Sequence, residues 1–525
     1  MRIGIDVGGT NTDAVLLDGR SVAASVKTPT TPDVTSGIVE VLRSIIDQSA
    51  LETDAVQGVM IGTTHFTNAV IEAKPLMPTA AVRLGLPATR SLRPMVDWPA
   101  RLREAVGNHA YLCHGGHEFD GRAISPLDAA ELRAVAAELG ERGVRSVAIC
   151  SVFSPVNAEL EQEAGAVFQE ELPGVAVSLS HEIGRVGLLE RENATIMNAC
   201  LRDLAERIVD AFGSALAELT ITAPVYLSQN DGTLMSVERA RRYPVATFAS
   251  GPTNSMRGAA FLSGVTECAV VDIGGTTSDV GMLVKGFPRE SAVVAQVGGV
   301  RTNFRMPDVL SIGLGGGSLV RGEDALTVGR ESVGYRLTRE ALVFGGQTLT
   351  ATDIAVAAGL ADVGDAAWVQ GLDEGWVRDA HALIERTVAK AVDRMKTSAG
   401  DIPVVVVGGG SILLGSRLDG ASELIRPEHS AVANAIGAAI AQIGGEVDRV
   451  FSMEGVSRDE VLAQAKAEAT EQAVAAGGLA DSVEIVEIDE VPLAYLPSNA
   501  VRVRVKAVGD LDLARVARVE TQARG

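Results

Sequence analysis

Two short segments of the chain carry the residue types that handle phosphate and a divalent cation. The first is Ile5-Asp6-Val7-Gly8-Gly9-Thr10-Asn11-Thr12-Asp13, and the second is Val271-Asp272-Ile273-Gly274-Gly275-Thr276-Thr277-Ser278-Asp279, 266 residues later. Both read D-x-G-G-T-x-[S/T]-D. Paired glycines free the backbone for left-handed or crowded conformations, so that turn N–H groups can converge on one anion. Thr10, Asn11, Thr12, Thr276, Thr277 and Ser278 add polar groups beside Gly8, Gly9, Gly274 and Gly275. Asp6, Asp13, Asp272 and Asp279 sit at the turn edges. Carboxylates repel a bare phosphate, and a Mg²⁺ between the two reconciles them. The four aspartates are therefore expected to hold Mg²⁺, its water shell or the attacking group, with Asp6 and Asp272 reaching the ion through water. A hairpin with a Gly-Gly turn explains either copy alone; two matching copies point to a site.

A third glycine cluster, Gly408-Gly409-Gly410-Ser411, ends the run Pro403-Val404-Val405-Val406-Val407. Four valines without alternation describe a strand covered on both faces. Glycines at its carboxyl end let a ligand approach the backbone, as at the strand ends of open α/β sheets. The turn Ile312–Ser318, with Gly315 and Gly316, offers similar backbone. No G-x-x-x-x-G-K-[ST] is present, so P-loop chemistry is not indicated.

These segments need a scaffold. The chain has 525 residues, 46% of them hydrophobic and only 4% aromatic, with 56 glycines. Cores of Ala, Val, Leu and Ile in α/β layers fit that balance and exclude disorder as the main state. Net charge is −21, which excludes the basic footprint of a nucleic-acid binder. The four cysteines form no C-x-x-C, a usage suited to a reducing compartment. With neither a signal-like apolar segment nor a transmembrane run at hand, a cytoplasmic protein is expected.

Along the chain, residues 1–78 read as strand–strand–helix–strand–helix, with a helix over 34–48. Residues 79–185 read as a second α/β segment with a helix opened by Ser125-Pro126 and a strand over 144–152. A long amphipathic helix is predicted over 183–219. Residues 220–445 hold the second hairpin and both glycine turns. In 446–525, Ser457-x-x-Glu460 is a capping box, and 483–491 and 501–508 alternate like half-buried strands. The predicted units are 1–185, 186–445 and a small α+β cap over 446–525.

The hairpins, Val404–Ser411 and the small-residue stretch Ser430–Ile440 together resemble the duplicated ATPase fold of sugar kinases, Hsp70 and actin. In that resemblance they are the two phosphate elements, the adenosine element and the second connecting helix. Other stretches resemble the hydantoinase A/5-oxoprolinase family: Gly62-Thr63-Thr64-His65-Phe66-Thr67-Asn68-Ala69-Val70-Ile71-Glu72, Glu190–Ala199, Gln229–Gly232, Ser250-Gly251-Pro252, Ile312–Ser318 and Thr350–Asp353. The resemblance implies ATP and Mg²⁺ as cofactors and phosphorylation of a carbonyl oxygen. It also implies the role of ATP-binding subunit in a cyclic amide hydrolase or carboxylase, paired with a separate B-type subunit that supplies the nucleophile, within which this chain could form a homodimer. Leu310 stands where many hydantoinases carry histidine, and leucine neither binds a metal nor moves a proton. Two other readings compete. A small-molecule kinase would use Asp13 or Asp279 as base toward a hydroxyl. A nucleotide-switched assembly factor would turn over ATP with no small-molecule product.

Three further groups are weighed against plain structural roles. Cys113, His114 and His117 could ligate a metal or simply form a polar loop. His65 could meet an anion at a helix start. Arg301 and Arg305, flanking Asn303, could meet an anionic substrate or form solvated pairs.

Overall fold

The computed structural model describes residues 1–512 except 10, 31–33, 50, 292–293, 323–324 and 494–499. Thr10 thus lies outside the described residues. The repeat folds as the same unit twice. Arg2–Val7 pairs antiparallel with Asn11–Asp18, bringing Asp6 opposite Asp13, and parallel with Gly58–Thr63. Cys268–Ile273 pairs antiparallel with Ser278–Val284, bringing Asp272 opposite Asp279, and parallel with Ile402–Val407. Both hairpin strands are apolar on both faces, as strands sandwiched between helices must be. Val404–Val407 are fully buried, as the unbroken valine run required.

The first unit extends into a nine-stranded sheet. Its order is Glu484–Pro492, Val501–Gly509, Gln442–Phe451, Thr233–Ser236, Val225–Ser228, Gly58–Thr63, Arg2–Val7, Asn11–Asp18 and Ser21–Pro29. The second unit is a six-stranded sheet in which Val309–Ile312 also pairs with Ser278–Val284. A separate four-stranded parallel sheet is built from His109–His114, Thr79–Leu86, Ser146–Ser151 and Ala176–Leu179.

Two helices, Ser250–Ser263 and Ala433–Ile440, pack against each other beside the hairpin strands. Their backbones nearly touch. A Cβ at Gly437 would lie 1.8 Å from the Asn254 carbonyl oxygen, and one at Gly258 would lie 1.9 Å from that of Ala433. This explains the small residues of 430–440: any larger side chain would push the helices apart.

Several expectations are corrected. Residues 21–29 form a third strand, not a connection into the helix, which runs Val34–Ser49. Ser125-Pro126 does not open a helix; Asp128 caps Ala129–Glu141, accepting from the Ala130 and Glu131 N–H groups. The Ser125 hydroxyl instead accepts from Gly115 N–H and donates to the Leu86 carbonyl. The helix expected over 183–219 is two, Leu188–Cys200 and Arg202–Glu218, because the amphipathic period continues across a break at Leu201. The capping box is present: Ser457 N–H donates to Glu460 Oε2 at 2.8 Å. The strands of the tail continue the nine-stranded sheet, so the expected boundary at 445 falls inside the strand Gln442–Phe451. Residues 225–236 belong to the same sheet, across the expected boundary at 185.

Candidate functional site

The two hairpin turns close with the same bond. Gly8 N–H donates to Asn11 O at 3.0 Å, and Gly274 N–H donates to Thr277 O at 2.9 Å. None of Gly8, Gly9, Gly274 and Gly275 takes a left-handed φ, which corrects the expected reason for the glycines. At Gly9 and Gly275 a Cβ would meet nothing within 4 Å. The chain's own packing does not demand glycine there; the bare backbone opens onto free space. Thr12 faces inward, its hydroxyl 3.2 Å from that of Thr30, which donates to Gly8 O. The Ser278 hydroxyl donates to Leu314 O, tying the second hairpin to the glycine-rich turn.

That turn lies directly on the hairpin. Gly316 N–H donates to Gly274 O at 3.0 Å and Gly317 N–H to Gly275 O at 2.7 Å. A Cβ at Gly315 would lie 2.6 Å from Thr276 N, so only glycine permits this approach. Gly408 follows the valine strand with φ +85° and donates its N–H to Ser430 O. A Cβ there would lie 2.3 Å from Asp272 Oδ1. Gly409 again faces open space, while Gly410 and Ser411 continue into a short 3₁₀ turn. The second hairpin, Gly315–Gly316 and Gly408–Ser411 thus share contacts around Asp272 and Gly274.

The aspartates of the two copies are close enough to act on one another. Burial, the charge of Asp13 and, to a smaller extent, that of Asp272 push Asp6 up to about 7, against a hydrogen bond from Asn434 and the nearby amide of Asn254. Burial and the charge of Asp279, with a smaller share from Asp13, push Asp272 up to about 6; the Ser255 hydroxyl and Lys27 oppose this. Burial also raises Asp279, which accepts from the Ser311 hydroxyl. Asn434 Nδ2 bridges Asp6 Oδ2 at 3.0 Å and Asp13 Oδ2 at 2.9 Å. Lys27 Nζ lies 2.8 Å from Asp13 Oδ1, with 40% of its side chain exposed.

Asp6 Oδ1 and both polar atoms of Asn254 are sealed from solvent without a hydrogen-bond partner. Buried carboxylates that repel each other are the donor set a hard divalent cation would relieve. No group of three His, Cys, Asp or Glu converges to chelate a metal among the described residues. An ion held beside these aspartates would complete its shell with water and phosphate oxygens.

Sequence reasoning missed Lys27, Asn254, Ser255, Ser311 and the polar role of Asn434. Gly62 was the one available signal for Asn254: a Cβ there would lie 2.4 Å from both Asp6 Oδ1 and Asn254 Nδ2.

The other groups take structural roles. Cys113 is buried, its thiol pushed up to about 12 by burial and the charges of Glu131 and Asp128. His114 pairs with Glu131 at 3.1 Å. His65 Nδ1 lies 2.6 Å from the Thr63 hydroxyl at the start of His65–Glu72, and burial pushes its pKa down. Arg305 is not free for an anion, because Glu446 and Asp448 engage it; Arg301 is exposed and pairs with Glu190. Leu310 lies opposite Val280, a core residue, while its neighbour Ser311 lies opposite Asp279. The polar contact to Asp279 thus comes from Ser311, on the face of the strand opposite to Leu310.

The chain is 30% identical over 393 residues to the caprolactamase alpha subunit of Pseudomonas jessenii, covering 69% of this chain and 55% of the relative. It is 26% identical over 396 residues to the acetophenone carboxylase gamma subunit of Aromatoleum aromaticum, covering 68% and 53%. The chain thus spans about half the length of the curated relatives it matches. The solved structure of the ATP-dependent caprolactamase from Pseudomonas jessenii superposes with a TM-score of 0.77 at 21% identity, over 98% of this chain and 88% of that one. The chain therefore shares the fold of that caprolactamase. No helix among the described residues is long and apolar enough to cross a membrane. Residues 2–172 match the model of the hydantoinase/oxoprolinase N-terminal region and residues 191–398 that of hydantoinase/oxoprolinase, together well over half of the sequence, so the chain belongs to the hydantoinase/oxoprolinase family.

Proposed function

We propose that the cleft between the hairpins is a Mg²⁺-ATP site at which the carbonyl oxygen of a cyclic amide is phosphorylated, and that this chain is the ATP-binding subunit of a lactam or hydantoin hydrolase or a related carboxylase. The observation that carries this reading is the convergence of two D-x-G-G-T turns whose buried aspartates repel each other across the cleft. Bound there, Mg²⁺-ATP supplies the phosphoryl group and the positive charge that offsets it.

The chain's residues do the positioning. Open backbone at Gly9, Gly275 and Gly409 admits phosphate oxygens, and N–H groups of the turns donate to them. Asp6 and Asp272 orient the water shell of the ion. Asn434 holds Asp6 and Asp13 in register, and Lys27 adds a cation beside Asp13. An amide is a poor electrophile; phosphate on its oxygen makes the carbon open to attack. Relatives named as alpha and gamma subunits support work within a multi-subunit complex, and the second subunit is taken to be of the B type.

The test is to purify the chain together with its bound partner and assay hydantoins, 5-oxoproline and lactams with ATP. Ring opening matched by phosphate release is expected from the complex. Phosphorylation of hydroxylated metabolites by the chain alone, with no amide turnover by the complex, would contradict the reading.

A further inference from the structure

A cavity of about 1070 Å³ lies apart from the aspartate cleft. It forms where the loop after Ala176–Leu179 meets the strands Val225–Ser228, Thr233–Ser236 and Gln442–Phe451. None of Asp6, Asp13, Asp272 and Asp279 lines it. Its wall mixes apolar groups such as Val156, Ile183 and Phe304 with many charged ones, among them Arg185, Asp231 and Arg242.

His181 is the only imidazole in that wall. Its Nδ1 lies 2.7 Å from Glu161 Oε2, which also accepts the His181 N–H at 3.0 Å. Glu161 is sealed in the core of the helix Glu159–Glu171, and its other oxygen accepts from Ser151 N–H at 2.6 Å and the Ser180 hydroxyl at 2.5 Å. Burial pushes this carboxyl up, but the bonds from His181 and Ser180 and the charge of Arg191 outweigh it and hold it below the ordinary glutamate range. An ionised acceptor at Nδ1 keeps the ring proton there and leaves the lone pair on Nε2. The His181 side chain is 16% exposed, at the cavity, and Nε2 has no hydrogen-bond partner among the described residues.

The cavity also connects to the cleft through one helix. Asn230, in its wall, accepts Ala249 N–H and, through its carbonyl, the Thr253 hydroxyl. Of the next two residues, Asn254 lies beside Asp6 and the Ser255 hydroxyl donates to Asp272 Oδ2.

We propose that this cavity is a second compartment in which His181, positioned by Glu161, is the general base for hydrolysis of activated acyl compounds. Water bonds through its oxygen to the acyl carbon while its proton moves to Nε2. The tetrahedral adduct then expels its leaving group with the electron pair of the broken bond, and the imidazolium returns the proton to the leaving group or to solvent. The site stands on the cavity and the Glu161–His181 pair alone; only its place in lactam opening, as the step after phosphorylation, rests on the proposed function. It also puts a base within this chain, where the sequence led us to expect the nucleophile's activation from a partner.

Charged groups surround His181 on several elements. Glu161 faces it from one helix, and Arg191, donating to Ser180 Oγ at 2.9 Å, from Leu188–Cys200. Glu182 adjoins it in the chain and is held by Arg242 and the Tyr243 hydroxyl. Ser146–Ser151 brings no charge.

The experiment uses the full chain without nucleotide and p-nitrophenyl acetate as the activated acyl probe. Wild type should hydrolyse it faster than buffer alone does. His181→Asn keeps an N–H toward Glu161 but has no base, and should lose about 10²-fold of the protein-dependent rate. Glu161→Gln should lower kcat with KM unchanged, a split that mere loosening of the cavity wall would not produce. If Glu161→Gln does not fold, His181→Asn carries the test alone. Wild-type rates in His181→Asn would overturn the proposal. Calorimetry with Mg²⁺-ATP runs in parallel: failure of wild type to bind nucleotide would count against the cleft, while an unchanged ester rate in His181→Asn would count against this cavity.

Discussion

Asp6→Asn should lower nucleotide-dependent phosphate release by the complex about 10²-fold or more, and at the same time make the nucleotide-free chain more stable at pH 8. The loss follows from removing charge and proton-accepting capacity where the phosphoryl group must be balanced. The gain follows from linkage. An aspartate raised in the folded state from 3.8 to about 7 contributes stability that is fully present below the unfolded value and is lost as pH rises through the folded one. The wild-type chain therefore gives up this contribution between about pH 4 and pH 8, whereas asparagine has no proton to lose. Thermal midpoints of the two proteins should be close near pH 4 and separate steadily toward pH 8, by a free energy on the order of 4 kcal/mol. Asp448, held down to about 2 by its arginines despite burial, acts in the opposite direction but equally in both proteins. Wild-type turnover in Asp6→Asn, or a stability difference that does not grow with pH, would remove Asp6 from the site.

Gly437→Ala should be among the most destabilising single-methyl changes available in this chain. The added Cβ would lie 1.8 Å from a backbone oxygen of the opposing helix, and backbone cannot rotate away as a side-chain end can. Separation of Ser250–Ser263 from Ala433–Ile440 costs about 3 kcal/mol or more, the upper range of core overpacking. It also displaces Asn254 and Ser255 on one helix and Asn434 on the other, which hold Asp6 and Asp272. Nucleotide affinity should fall along with the thermal midpoint. Gly213→Ala supplies the contrast: that helical glycine has nothing within 4 Å of its added methyl, and the change should stabilise by about 1 kcal/mol through helix propensity. Equal thermal midpoints for Gly437→Ala and wild type would show that the helix contact does not hold the site.

The parts of the site legible in the sequence are those whose chemistry is local. Asp6 and Asp13, or Asp272 and Asp279, lie seven residues apart, and a two-strand hairpin returns the chain to itself within that distance. The valine strand and its glycine turn carry their burial in composition. Lys27, Asn254 and Asn434 were not legible, because each reaches the aspartates from another element and looks ordinary in its own segment. Lys27 sits on the strand taken for a connection, and Asn434 lies in a helix whose small residues spoke only of packing. The same limit hid Glu161–His181: the two are brought together by the end of one helix and the turn after a strand, with no motif linking them. Local signals failed where tertiary contacts outranked them. Ser125-Pro126 has the chemistry of a helix start, but the Ser125 hydroxyl is used between two loops, and Asp128 takes the cap.

Titration calorimetry of the purified chain and of its complex with ATP, with and without Mg²⁺, tests the nucleotide cleft most directly. Saturable binding at millimolar nucleotide or below is expected, strengthened by Mg²⁺ and weakened in Gly275→Val, whose side chain would fill the open space at the second hairpin. A flat trace from both the chain and the complex, at millimolar ATP and Mg²⁺, would contradict it.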